Sequence, residues 1–269
     1  MMIIEKITSD FGKLFVLKSL ITGAYAYWQG GCCQSESDDN GTSLAPYVHA
    51  MFGLICQTTA NSILMIGCGG GTLGTMLSKA GRRVTIVDVN PASILVAQKY
   101  FSLSPDITCH VGDGLEFIRN TKEKYDIIIL DAFEKDQIPE HLCSPEFFGF
   151  CRTKLTNSGY MLVNIVIEHD FDFAADEIAT RLAETQLRVR VLDTPGRVGR
   201  NAVIIAGTVM NLLPPPLIAM PQMLREELQN ELSCMRFRVW RSEIPDRRKA
   251  ALSDGARGAR RCYRSSDRQ

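Results

Sequence analysis

The stretch that decides the fold is Ser62 to Pro91, SILMIGCGGGTLGTMLSKAGRRVTIVDVNP. It opens on a short apolar run, Ile63 to Ile66, which reads as a buried strand. The run stops at Gly67, Gly69, Gly70 and Gly71. Leu73, Met76, Leu77 and Ala80 then recur at helical spacing, and Gly81 closes the pattern. A second apolar run, Val84 to Val87, ends at Asp88. Strand, glycine turn, helix, strand and terminal acid make half of a nucleotide-binding sheet. Glycine lets a turn tighten and lets a ligand lie against bare backbone. The helix start offers unpaired N–H groups beside it. A carboxylate at the next strand tip can accept from both hydroxyls of a ribose. The glycines alone fit both G-x-G-x-x-G (Gly69 to Gly74) and G-x-G-x-G (Gly67 to Gly71), so they leave the ligand open between a dinucleotide and an S-adenosylmethionine-type nucleoside.

Outward from this unit the chain alternates strands and helices. Pro91 to Phe101 reads as a helix, Ile107 to Val111 as strand three, Leu115 to Arg119 as a short helix and Tyr125 to Leu130 as strand four. Helix 146–155, strand 160–166 and helix 173–182 follow. Runs 187–192 and 202–206, joined by a Pro-Gly loop with no helix, should pair antiparallel. The fold class expected is α/β: a Rossmann-like, doubly wound seven-stranded sheet with an antiparallel last strand, preceded by a small N-terminal β domain. The domain boundaries expected are 1–43 for the β-hairpin domain, 44–210 for the nucleoside-binding domain, 211–240 for a C-terminal helix and 241–269 for a basic disordered tail. A helix over 44–55 starts after Thr42-Ser43, with cap chemistry there and Pro46 in its first turn.

With 269 residues, 45% hydrophobic and 22% charged, the composition is that of a globular protein. No apolar run reaches the ~20 residues of a membrane span. Leu14 to Trp28 is interrupted by Lys18 and preceded by Glu5 and Asp10, unlike a signal peptide. Nine cysteines without a C-x-x-C pair suit a reducing, cytoplasmic setting and argue against a disulfide framework or a zinc site. From Arg236 onward 11 Lys+Arg face 4 Asp+Glu, so the acidic charge lies in the first 235 residues. An acidic body suits a cationic substrate.

The downstream acids narrow the ligand. Asp88, Asp113 (in Gly112-Asp113-Gly114) and Asp131 end three successive strands, at the edge where open α/β sheets bind ligands. Acids crowd out a pyrophosphate and favour a sulfonium nucleoside.

Taken together, Gln34-Ser35-Glu36, Tyr47-Val48-His49, ILMIGCGGGTLG, VTIVDVNP, Tyr100-Phe101, VGDGLEFI, YDIIILDAF and Ser144-Pro145-Glu146-Phe147-Phe148 resemble the spermidine synthase (polyamine aminopropyltransferase) family, on the class I methyltransferase fold. The resemblance covers residues 25 to about 207. It implies that Gly67, Gly69 and Gly71 lie along the nucleoside, that Asp88 holds the ribose and Asp113 the adenine amine, and that Gln34 reaches the ligand from the N-terminal sheet. It makes Asp131 the catalytic acid–base residue and points to Tyr47, His49 and Glu134 for the acceptor. The implied co-substrate is decarboxylated S-adenosylmethionine or S-adenosylmethionine, with no metal. The implied partner is a small-molecule amine of the polyamine class; neither nucleic acid nor membrane is expected, and a homodimer is allowed. Where the family carries D-S-S-D-P, this chain has Asp131-Ala132-Phe133-Glu134-Lys135, so Glu134 matches the second acid only loosely. Methyl transfer on the same scaffold, or nucleoside binding without turnover, are the alternative readings.

Overall fold

The computed structural model describes residues 1–134, 137–208 and 210–241. The expected basic tail lies, apart from Arg241, outside the described residues.

Four strands form the N-terminal sheet in sequence order: β1 (Met2–Ser9), β2 (Gly12–Lys18), β3 (Tyr25–Gln29) and β4 (Cys32–Ser37), all antiparallel. Alternation gives this sheet one apolar face. Leu14, Val16 and Tyr27 on that face pack against Ala92, Val96 and Phe101 of the main body. The Tyr27 hydroxyl lies 3.0 Å from Ser93 Oγ, so the phenol is partnered where it is buried.

Helix α1 (Pro46–Cys56) leads into the large sheet. The cap expected at Thr42-Ser43 is instead Ala45, whose side chain caps nothing; Pro46 supplies the preset φ of the first turn. Ser43 Oγ accepts from the Ala45 N–H at 3.1 Å, and so shapes the approach rather than the helix end.

The quoted stretch folds as read: β5 (Ser62–Ile66), α2 (Thr72–Lys79) and β6 (Arg83–Asp88). Then come α3 (Pro91–Tyr100), β7 (Thr108–Val111), α4 (Gly114–Asn120), β8 (Tyr125–Leu130), a 3₁₀ turn over Glu140–Cys143, α5 (Pro145–Lys154), β9 (Leu155–Ile167), α6 (Ala174–Glu184), β10 (Val189–Asp193), β11 (Arg200–Gly207), α7 (Arg225–Cys234) and β12 (Arg236–Arg238). The large sheet has eight strands in the order β12-β10-β11-β9-β8-β5-β6-β7. Strands β5 to β9 pair in parallel, and β11 is antiparallel to both β9 and β10. The seven expected strands are present. The eighth, β12, adds antiparallel to β10.

Strand β12 carries no apolar run; ion pairs hold it. Arg238 donates to both carboxylate oxygens of Asp176 on α6 at 2.9 Å and to Asp193 at 3.0 Å. Asp176 and Asp193 are both buried.

Both faces of the sheet are covered. Ile63, Met65, Ile127, Ile129, Tyr160, Leu162, Val203 and Ile205 face a cluster that includes Val48, Met51 and Ile55 of α1. Their strand neighbours Leu64, Ile128, Leu130, Met161, Val163 and Ile204 face the opposite cluster with Phe147, Phe148 and Leu182. The near-continuous apolar runs of β5, β8 and β9 follow from this two-sided burial. Among the described residues, no helix is long and apolar enough to cross a membrane.

Candidate active site

Three rows on the α1 side of the sheet end in polar residues. Ile127 and Ile129 of β8 run on to Asp131; Tyr160 and Leu162 of β9 run on to Asn164; Ile205 and Val203 of β11 run back to Asn201. Period-two alternation puts all three end residues on the same face as the rows that lead to them. They sit where the apolar sheet meets a cavity of about 1030 Å³, lined among others by Gln34, Tyr47, Phe133, Asn164 and Asn201.

Asp131 begins where β8 stops, its N–H bonded to Ile66 O at 2.9 Å. Asn164 Nδ2 donates to Asp131 Oδ1 at 2.8 Å, and Asn201 Nδ2 donates to Asn164 Oδ1 at 3.0 Å. Tyr47, in the first turn of α1, brings its phenol to the same carboxyl. Burial pushes the Asp131 carboxyl up to about 6, and the Asn164 and Tyr47 donors hold back part of that rise. Burial first, and then the Asp131 charge, pushes the Tyr47 phenol well above its ordinary range. A buried amide left without partners costs about 1–3 kcal/mol. Asn164, only 1% exposed, avoids that cost by bonding on both sides.

The glycine turn is fixed by its backbone. Gly67, Gly69 and Gly71 have φ of +99°, +51° and +65°. The Gly70 N–H donates to Ser35 Oγ of β4 at 2.8 Å, which ties the N-terminal sheet to the turn. Asp88 also serves the turn. Its two oxygens accept from Cys68 N–H and Asn90 N–H, both at 2.7 Å. Each carboxylate oxygen has a second lone pair, so those two bonds do not exhaust what Asp88 can accept.

Asp113 caps α4 by accepting from the Glu116 N–H at 2.9 Å, and takes a 2.7 Å bond from His141 Nε2. Burial raises its carboxyl, but the backbone and His141 donors outweigh that and hold it below the usual range. Asp113 lines a second, open cavity of about 660 Å³ with His110, Gly112 and Phe117.

Gln34 and Tyr47 are thus brought to the larger cavity, with Asp131 bonded to Asn164 of its lining and its backbone against Gly67. His49 and Glu134 are not. His49 is buried, with Nε2 2.7 Å from Ser43 O, so it packs the helix start rather than facing the cavity. Glu134 is exposed, its backbone paired with that of Gln137; Phe133 and Gln137 line the cavity instead. Asn164, Asn201 and the His141 contact are absent from the sequence-based set. The signal for the first two was a lone amide at the end of an alternating apolar row. Among the described residues, no group of three or more His, Cys, Asp or Glu side chains is disposed to hold a metal ion.

Fold and site together define a class I methyltransferase-type α/β unit with a β domain appended at its N-terminal side. A family model described as a methyltransferase domain matches residues 63–144. The resemblance to the spermidine synthase family holds across the relatives found. The polyamine aminopropyltransferase of Vibrio vulnificus is 31% identical over 140 residues, 49% of this chain and 47% of that protein. The polyamine aminopropyltransferase of Neisseria meningitidis serogroup A is 30% identical over 170 residues, 60% of this chain and 62% of that protein. The match thus spans about half of the one relative and under two thirds of the other. A probable spermidine synthase from Corynebacterium glutamicum shares the fold over 98% of both chains, with a TM-score of 0.70 at 16% identity. A spermidine synthase from Thermotoga maritima does so over 86% of this chain and 83% of that one, with a TM-score of 0.63 at 19% identity. Over these spans the chain is similar to polyamine aminopropyltransferases.

Proposed function

We propose that this protein transfers an aminopropyl group from decarboxylated S-adenosylmethionine to an amine, with Asp131 as the base. The observation that carries the reading is the Asp131 carboxylate: desolvated, held by Tyr47 and Asn164, and backed against the glycine turn. The aminopropyltransferase names of the relatives supply the chemistry.

An ammonium has no lone pair, so a proton must leave before attack. Asp131 takes that proton. The amine lone pair then forms a bond to the propyl carbon next to the sulfonium. The C–S electron pair returns to sulfur, and neutral methylthioadenosine leaves. In this reading Gly67, Gly69 and Gly71 lie along the nucleoside, Asp88 holds the ribose, Asp113 accepts from the adenine amine and Gln34 closes over the ligand from β4. Tyr47 steers the acceptor toward Asp131. A carboxylate that titrates near 6 is ionised at neutral pH yet basic enough to share a proton in the transition state.

Calorimetric titration with S-adenosylmethionine, its decarboxylated form and methylthioadenosine tests the donor. The reading expects the decarboxylated form to bind more tightly than S-adenosylmethionine. Preference for S-adenosylmethionine, with methyl transfer to any acceptor, would overturn it.

A further inference from the structure

We infer that Asn201 is a positioning residue for the reaction: it fixes the amide of Asn164 so that Asn164 donates to Asp131 rather than accepting from it. This rests on the reading of Asp131 as the proton acceptor.

The argument is one of polarity along a hydrogen-bonded chain. An ionised carboxylate only accepts, so Asn164 must turn its NH₂ toward Asp131, and does so at 2.8 Å. The carbonyl of Asn164 then faces the other way. Asn201 meets it with its own NH₂ at 3.0 Å. The strand register produces this contact. Val203 of β11 pairs with Asn164 of β9, and Asn201 lies two residues from Val203, so it is the diagonal neighbour on the same face.

Without the Asn201 donor, Asn164 could rotate its amide and present oxygen to Asp131. That arrangement suits a protonated acid and would hold the proton in place. With the donor present, the rotation would face NH₂ against NH₂ at Asn201 and lose the bond. Asn201 therefore biases Asp131, through Asn164, toward the ionised form that can accept the substrate's proton.

Among the described residues, few other groups titrate against Asp131. From α1 it meets the Tyr47 phenol, which is raised well above its ordinary range. From β4 the Cys33 thiol, close to Tyr47, is pushed by burial to about 12. The turn after β5 meets Asp131 through the Gly67 backbone, and Glu134, among the described residues of its own segment, is exposed. Between pH 4 and 8 a carboxyl titration at this position reports Asp131.

The test is a ¹³C-carboxyl NMR titration of the aspartate-labelled protein. Wild type is compared with Asn201→Leu and Asn201→Gln, and Asp131→Asn assigns the signal. Asn201→Leu should raise the Asp131 midpoint by about one pH unit, the scale of one hydrogen bond. Asn201→Gln, which keeps a donor, should bring it back toward wild type. The acid limb of methylthioadenosine release should move with the midpoint. An unchanged midpoint in folded Asn201→Leu would overturn the inference; if that variant does not fold, Asn201→Ala is read in the same way. Absence of turnover in every form would count against the proposed function, and the titration would still decide the relay.

Discussion

Gly67 and Asp131 touch through their backbones: a Cβ on Gly67 would lie 2.2 Å from the Asp131 carbonyl oxygen. The glycine turn and the proposed base are therefore in direct backbone contact. Gly67 also has φ +99°, a conformation that side chains rarely adopt. Gly67→Ala should destabilise the fold by at least about 2 kcal/mol, since strain and overlap both act. Gly81→Ala is the control. Gly81 has φ +78° with nothing within 4 Å of its would-be Cβ, so only the backbone penalty of about 1–2 kcal/mol should appear. Denaturant melts of the two variants check the difference; equal losses would mean that the contact with Asp131 is not tight.

Asp88 latches the turn and is proposed to hold the ribose. Asp88→Ala should weaken methylthioadenosine binding by about 1.5–3 kcal/mol. It should also lower the melting temperature without ligand, because Cys68 and Asn90 lose their acceptor. Calorimetry and a thermal melt read the two effects separately. Unchanged nucleoside affinity would remove Asp88 from the ribose.

How much of this was legible beforehand depends on the range of the interaction. The turn at Gly67, the strand-end acids Asp88 and Asp131 and the antiparallel hairpin follow from local pattern. Asn164 and Asn201 carry no such clear local signal: each sits in or beside an apolar run, and their pairing comes from a register that no single strand carries. Strand β12, Arg-Phe-Arg, has no strand signal of its own; buried Asp176 and Asp193 on distant elements create it. The cap expected at Thr42-Ser43 moved because Pro46 fixes the first turn without one. Glu134 matches an acid only loosely in sequence, and it is exposed, with its backbone bonded to that of Gln137.

The raised Asp131 pKa makes a prediction about stability. A carboxyl whose folded pKa exceeds its unfolded one binds protons more tightly when folded. The stability it lends is present below about pH 4 and is lost as pH rises through about 6. Asp131→Asn, which carries no charge, should therefore gain on wild type with rising pH, by about 1–3 kcal/mol at pH 8 relative to pH 4. Paired denaturant melts at the two pH values check the sign. A variant that loses ground as pH rises would show the carboxylate to be stabilised by the fold.

Strand β12 is held by charge in a buried setting. Asp176→Ala would leave Arg238 short of a partner and remove the acceptor of the Arg241 N–H. Breaking such a pair costs about 3–5 kcal/mol. Hydrogen exchange should show the amides of 236–238 losing protection first. Full protection there would mean that backbone pairing with β10 suffices.

The central claim is that Asp131 takes the proton from an attacking amine. The most direct measurement is methylthioadenosine release from decarboxylated S-adenosylmethionine, with putrescine, spermidine, cadaverine and agmatine offered in turn, by wild type and Asp131→Asn. The account predicts release with at least one amine, an acid limb near pH 6 for wild type, and a fall of roughly 10²–10⁴-fold in the variant with methylthioadenosine affinity little changed. Equal release by the two proteins, or none from wild type with any amine, would contradict it.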